Sequence, residues 1–167
     1  MNDSYLEVMV KRKTNVLALI GRNTLVGLGA LVFLVGFLSD IFLILAIVAG
    51  LLFLGAFLFH RQIGVEFEYL YLEKTLSIDK ISNQTTRKKL AEYSMEHLEL
   101  LAPVSSHRLD SYASGVKTVD YSSRQKEGNP YALIFKQGSL TTKVLIDCTD
   151  ELYDQIRMTA PRKVFKD

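Results

Sequence analysis

The side chains able to do chemistry in this 167-residue chain are few and scattered. Ser105, Ser106, His107 and Asp110 are the residue types of a hydrolase triad, but all four crowd one polar stretch. A nucleophile, its base and the acid that orients the base need fixed separations, so working triads draw them from separate rigid elements. His60, His97 and His107 lie far apart, with no HxH or HxxxH spacing and no paired carboxylates beside them. No metal ligand set follows from that pattern. The single cysteine, Cys148, excludes an intrachain disulfide and a Cys-rich zinc site. It reads as a small buried residue at a strand end rather than a reactive thiol. Gly27-x-Gly29 sits inside an apolar run and is no phosphate loop. The sequence therefore assigns no catalytic residue, no metal and no cofactor, and the chain is expected not to be an enzyme.

Two basic runs remain. Lys11, Arg12 and Lys13 precede the first apolar run, and Arg87, Lys88 and Lys89 follow near Lys80. A cation held near an anionic bilayer adds about 1 kcal/mol, so these six are the candidate lipid-headgroup contacts. The other reading of Arg87-Lys88-Lys89 is a solvated strand edge, where lysines discourage edge-to-edge pairing. The chain as a whole has 20 Lys+Arg against 18 Asp+Glu. That near balance supplies no basic surface of the kind nucleic acid requires.

The elements that would position these groups fall into two unlike parts. From Thr24 to Phe59 the only ionisable residue is Asp40. A helix needs about 20 apolar residues to cross a bilayer, and two such spans fit, at about 16–38 and 41–60. Only Ser39 and Asp40 separate them, which forces an antiparallel hairpin. Lys11, Arg12, Lys13 and Arg22 precede it and Arg61 follows, so the positive-inside rule places both chain ends in the cytoplasm of a multi-pass cell-membrane protein. A cleaved signal peptide does not fit, because the apolar run starts late and a second span follows at once. Arg22, close to one end of the first span, can snorkel to the headgroups. No ionisable group lies between Thr24 and Leu38 or between Ile41 and Phe59, so the hairpin reads as an anchor, not a conduit. Ala46 and Gly50 have small-xxx-small spacing, which serves either hairpin packing or contact with another copy. Before the spans, Leu6, Met9 and Val10 share one helical face. Ser4 to Lys13, within an N-terminal interfacial segment of residues 1–15, thus reads as an amphipathic helix on the membrane surface, or as the start of the first span.

From Ile63 the period changes to two. Val65, Phe67, Tyr69 and Tyr71 alternate with Glu66 and Glu68, which is a strand with one buried face. Glu73-Lys74 forms a tight turn, and Thr75 to Ile81 a second strand. The cluster Ser82-Asn83-Gln84-Thr85 is a turn. Further strands are expected at 87–94, 97–101, 116–122, 131–136 and 141–147, with a long polar loop over 103–115. Gly128-Asn129-Pro130 and Gln137-Gly138-Ser139 supply turns. Thr149 then caps a helix whose stripe is Leu152, Tyr153, Ile156 and Ala160, and Pro161 ends it.

Seven strands followed by one amphipathic helix resembles the pleckstrin-homology-like (PH-like) barrel. Phe67-Glu68-Tyr69, Leu76-Ser77-Ile78-Asp79-Lys80-Ile81 and Arg87-Lys88 are similar to an uncharacterised family of small Clostridia-type membrane proteins. The resemblance implies an α+β membrane protein: a transmembrane hairpin over 16–60, then a cytoplasmic PH-like barrel over 61–167 capped by the C-terminal helix. In phosphoinositide-binding PH domains the basic pocket surrounds the first hairpin loop. Taken as Glu73-Lys74, that loop is too short and too neutral for one. The expected function is a non-enzymatic scaffold integral to the lipid bilayer, holding a protein partner at a sheet edge or beside the C-terminal helix. Anionic-lipid sensing is the alternative.

Overall fold

The computed structural model describes residues 5–60, 63–82, 86–125 and 128–166. The flanking Arg61 and the turn residues Asn83, Gln84 and Thr85 lie outside them. The chain divides into two compact units, one of residues 14–65 and one that joins 1–13 to 66–167.

The smaller unit is a helical hairpin. Helix α1 runs over Val16–Phe37 and α2 over Phe42–His60. Asn15 caps α1, its side chain accepting from the Leu17 amide at 3.1 Å. Both helices are long and apolar enough to cross a membrane, and few of their residues are buried. Leu31, Leu34, Leu43, Ile47, Leu51 and Leu54 all stand exposed. A helix that is apolar all round and uncovered by protein suits lipid, not water. The buried positions are small: Ala18 on α1, and two pairs, Gly29 and Gly36 on α1 and Ala49 and Ala56 on α2. Each pair is seven residues apart, the spacing that keeps one seam facing a partner helix. At the open end, an Arg22 guanidinium nitrogen lies 3.5 Å from Nδ1 of His60.

The larger unit holds eight strands among the described residues, not the seven expected. The first sheet is β1 (Leu6–Lys11), β2 (Val65–Leu72), β3 (Thr75–Ser82) and β4 (Thr86–Ser94), in that order. The second contains β5 (Leu98–Pro103), β6 (Lys117–Asp120), β7 (Pro130–Gln137) and β8 (Leu140–Asp147), ordered β5-β7-β8-β6. The two sheets remain separate, so the architecture is PH-like without being a closed barrel.

The segment expected to lie on a membrane as a helix is instead β1. It pairs antiparallel with β2, from Leu6 opposite Tyr71 to Lys11 opposite Glu66. Its true period is two: Val8 is buried, while Glu7 and Met9 are exposed. The sheet thus carries the apolar hairpin as an insertion between two neighbouring strands. Opposite charges at Lys11 and Glu66 favour this register.

The inner face of β2 supplies Phe67, Tyr69 and Tyr71, and that of β3 supplies Leu76 and Ile78, all almost fully buried. Between β2 and β3, Glu73 and Lys74 both adopt positive φ, at 47° and 63°. This is the turn geometry that two-residue hairpins demand. In the second sheet β7 is buried on both faces from Tyr131 to Phe135. Leu133 and Phe135 face the first sheet, where the Phe135 ring stacks on Tyr93 at 4.7 Å. Ala132 and Ile134 face outward, packed with Leu109, Tyr112 and Phe165. The stretch expected to be a long polar loop therefore contains a 3₁₀ turn, His107–Tyr112, that covers this sheet.

Helix α3 (Asp150–Thr159) buries Leu152, Tyr153 and Ile156, as its stripe requires, and the Thr149 hydroxyl accepts from the Leu152 amide at 3.3 Å. Thr149→Ala is expected to destabilise the domain by about 1 kcal/mol, read as a lower midpoint in urea unfolding. Two tyrosines tie the layers together. Tyr69 Oη donates to the Tyr121 carbonyl at 2.7 Å, and Tyr71 Oη lies 2.6 Å from Thr159 Oγ1 on α3. Cys148, just after β8, is buried as expected, and burial pushes its thiol up to about 12.

Candidate functional site

The triad-like residues do not assemble into a nucleophilic site. Ser106 Oγ accepts from the Arg108 amide at 3.3 Å and so caps the 3₁₀ turn. His107 Nδ1 lies 3.5 Å from Asp110 Oδ2, and both side chains stand in solvent, at 100% and 77% exposure. The two residues thus meet as an exposed i,i+3 contact within one 3₁₀ turn.

The six basic candidates separate into two kinds. Arg12 lies 3.6 Å from Asp120 and 5.4 Å from the Phe67 ring centroid, so it turns inward. Arg87 is paired with both Glu68 and Asp79, and Lys89 with Glu92. Arg87 and Lys89 remain half exposed all the same, and Lys11, Lys13 and Lys88 are exposed too. In the first run only Lys11 belongs to β1; Arg12 is drawn inward by Asp120 and Phe67 just past the strand's end.

Backbone contacts hold the end of β1 in place. The Lys13 amide donates to the Ser123 carbonyl at 2.7 Å, and Gln125 Nε2 donates to the Lys11 carbonyl at 3.0 Å. This also corrects the identity of the first hairpin. Glu73-Lys74 closes the second hairpin of the sheet. The first connection joins β1 to β2 and contains both apolar helices. Lys11 and Lys13 stand at its mouth.

A groove opens where α3 ends. Thr159, Ala160 and Pro161 form one wall, and Lys74 and Met95 the other, enclosing about 350 Å³. The second wall is held together by the Met95 amide, which donates to the Lys74 carbonyl at 2.8 Å. Met95 is only 2% exposed and supplies an apolar floor. Lys74, Arg162, Lys163 and one acid, Glu96, complete the lining. Past Pro161 the chain lies against β5: the Leu101 amide donates to Lys163 O at 2.7 Å, and the Phe165 amide to Leu101 O at 2.8 Å. Lys163 Nζ donates to the Leu98 carbonyl. One sheet edge is thus covered by the chain's own tail, and the groove lies where that cover begins. A second recess of about 480 Å³ lies over the stacked Tyr93 and Phe135 rings, with Glu92, His97 and Lys117 at its rim. Its rim carries both signs of charge and selects no ligand class.

Two apolar helices, two sheets from β1 to β8 and a C-terminal helix form one continuous pattern, and a family described as "Bacterial PH-like domain (DUF6106)" matches it over residues 2–166. The chain belongs to this family. Its match takes in β1 and the apolar hairpin together with everything after them, so the interrupted sheet lies wholly within the family's span. Neither the curated proteins nor the solved structures include a match to the chain.

The resemblance to PH-like domains points to the side of the C-terminal helix, but no motif marks the groove's own residues. Its residues come from three segments (74, 95–96 and 159–163), each too short to form a motif. Only the stop signal at Pro161 points near it.

Proposed function

We propose that the protein is a membrane-anchored, non-enzymatic binding module, and that the groove beside α3 holds an extended acidic segment of a partner protein. The observation that carries this reading is the groove's composition. Lys74, Arg162 and Lys163 line it together with the apolar Met95, Ala160 and Pro161 and a single acid, Glu96. Aligned charges steer encounter and fix register, while an apolar floor supplies the contact area. The two apolar helices serve as the anchor, and the Lys/Arg bias puts both ends of the chain in the cytoplasm.

The test uses the full chain in detergent micelles and a panel of fluorescent acidic-apolar peptides, read by anisotropy. Saturable binding is expected, weakened about tenfold, or 1.4 kcal/mol, by Lys74→Glu with Arg162→Glu. Binding should also fall as salt is raised. Peptide affinity unchanged by the double charge reversal would remove the groove as the site.

Contact with anionic lipid is the second reading, and one observation favours it. Lys11 and Lys13 stand at the mouth of the first hairpin connection, where a PH-like domain would place a headgroup site. Co-sedimentation with anionic vesicles, using residues 1–13 joined directly to 66–167, tests it. Binding at low salt that Lys11→Glu with Lys13→Glu abolishes is the expected result. Equal pelleting of the variant would dismiss the reading.

A further inference from the structure

After β6 the chain runs from Tyr121 to Gln125 outside any helix or strand, yet Tyr121, Ser122 and Ser123 are buried. Buried backbone that belongs to no ladder must find its partners elsewhere, and here it finds them on two sides. One side is the segment that leads into α1. The Ser123 carbonyl accepts from the Lys13 amide at 2.7 Å, and Gln125 Nε2 donates to the Lys11 carbonyl at 3.0 Å. Asp120 lies 3.6 Å from Arg12. The other side is β8. The Tyr121 amide donates to the Leu145 carbonyl at 2.9 Å, and the Ser123 amide to Asp147 Oδ2 at 2.6 Å. Ser123 thus spends its carbonyl on the chain entering α1 and its amide on β8.

The segment also holds its own shape. Asp120 Oδ1 accepts from the Ser122 amide at 3.0 Å and from its hydroxyl at 2.7 Å, while Arg124 Nε donates to Asp120 Oδ2 at 2.6 Å. The Gln125 amide donates to Ser123 Oγ at 3.1 Å. Arg124 has φ 57°, left-handed backbone that side chains rarely adopt. Beside the Ser123–Asp147 bond there is no spare room, since a Cβ at Gly128 would lie 2.9 Å from both Ser123 Oγ and Asp147 Oδ1. From the first sheet, Tyr69 Oη donates to the Tyr121 carbonyl at 2.7 Å and accepts from the Asp147 amide at 3.4 Å. A segment tied internally and pinned on two sides shifts as one piece.

Asp147 ends β8, and Thr149, two residues on, caps α3. We propose that Asp120–Gln125 form a strap that couples the entrance of the apolar hairpin to the start of α3. A displacement of Lys11–Lys13 moves Ser123, Ser123 moves Asp147, and Asp147 sets the position of the Thr149 cap. Only residues 12–15 separate β1 from α1, so a shift of that helix reaches Lys13 at once. Because the end of α3 supplies one wall of the groove, the strap makes the groove's fit for a partner depend on the state of the anchor. That consequence rests on the groove being the binding site; the coupling itself does not.

Hydrogen exchange on the full chain in detergent micelles tests the coupling with no peptide present, so the fate of the groove reading does not enter. Gln125→Ala removes the bond to the Lys11 carbonyl from an exposed position. It should lower the protection of the Leu152 and Tyr153 amides, which open α3, about threefold, the scale of one lost hydrogen bond. The Leu76 and Ile78 amides of β3 should keep theirs. Arg12→Ala, which acts from the same side through Asp120, should do likewise. Coupling is reciprocal, so Thr149→Ala should lower the protection of the Lys13 amide. In an Asp147→Ala chain the strap is cut from β8, and Gln125→Ala should then leave α3 unmoved. Protection of α3 that ignores both Gln125→Ala and Arg12→Ala would overturn the strap. So would equal losses at Leu76 and Ile78, a Lys13 amide indifferent to Thr149→Ala, or a response of α3 that persists in the Asp147→Ala chain.

Discussion

Replacing residues 14–65 with a short glycine-containing turn is expected to give a soluble, cooperatively folding domain, whereas a chain that begins at residue 61 is expected to aggregate. The first variant keeps β1 and lets Lys11 meet Glu66 through a tight connection instead of a helical one. The second loses a whole strand. Its β2 would then become an edge, carrying Phe67, Tyr69 and Tyr71 on one face and a row of unpaired backbone groups along its side. Such an edge templates association with other chains. Losing the buried Val8 alone costs about 1.5–3 kcal/mol. The lost ladder bonds add about 1 kcal/mol each. Against a typical domain stability of about 5–15 kcal/mol, the sum is decisive. Size-exclusion chromatography and thermal melts of the two variants provide the comparison. A monomeric, sharply melting protein from residue 61 onward would show that β1 is dispensable.

A comparable effect is expected in the helical hairpin. A Cβ added at Gly36 would lie 2.8 Å from Leu45 Cβ, a contact neither backbone can absorb without moving. Gly29 is next, at 3.2 Å from the Phe53 ring, where a side chain can shift instead. Gly36→Val should therefore separate the helices near their tip and destabilise the hairpin by about 1–3 kcal/mol. Gly27 and Gly50 have open space around them, so Gly50→Val should be nearly neutral. Unfolding of the natural chain and the two variants in mixed detergent, followed by helicity, gives the ranking. Equal loss from Gly36→Val and Gly50→Val would place the seam elsewhere. The contrast also assigns the small residues: the seam uses Gly29, Gly36, Ala49 and Ala56, whereas the Ala46–Gly50 spacing belongs largely to the outer face.

Elements whose signal is local are legible in the sequence. The two apolar runs, the alternation from Val65 to Tyr71, the turn at Glu73-Lys74 and the Thr149 cap each need only neighbouring residues to be recognised. β1 cannot be seen in this way. Leu6, Met9 and Val10 satisfy a helical period, while Leu6, Val8 and Val10 satisfy a strand period, and six residues are too few to choose. The deciding partner runs from Glu66, opposite Lys11, to Tyr71, opposite Leu6, and it lies beyond the inserted hairpin. Its own alternation is clear, but nothing near Leu6 announces that the two belong together. The place of β6 is hidden for a related reason. It spans only Lys117–Asp120 and runs parallel to β8, so the order of strands along the chain does not reveal its neighbour. The groove is harder still, because Lys74, Met95 and Pro161 become neighbours only once two sheets and a helix have packed.

The insertion of the hairpin between β1 and β2 has a mechanical consequence. Both covalent links to the helices leave the sheet at Lys11 and Glu66, which face each other at one end of the ladder. Tension drawn through those links would load the Lys13–Ser123 bond first, then the Lys11–Glu66 pair and each pair in turn towards Leu6 and Tyr71. Strands pulled apart from one end part bond by bond, whereas strands sheared along their length must break all their bonds together. This domain would therefore yield to a gentle pull at β1 while the second sheet, which carries no such link, stays intact.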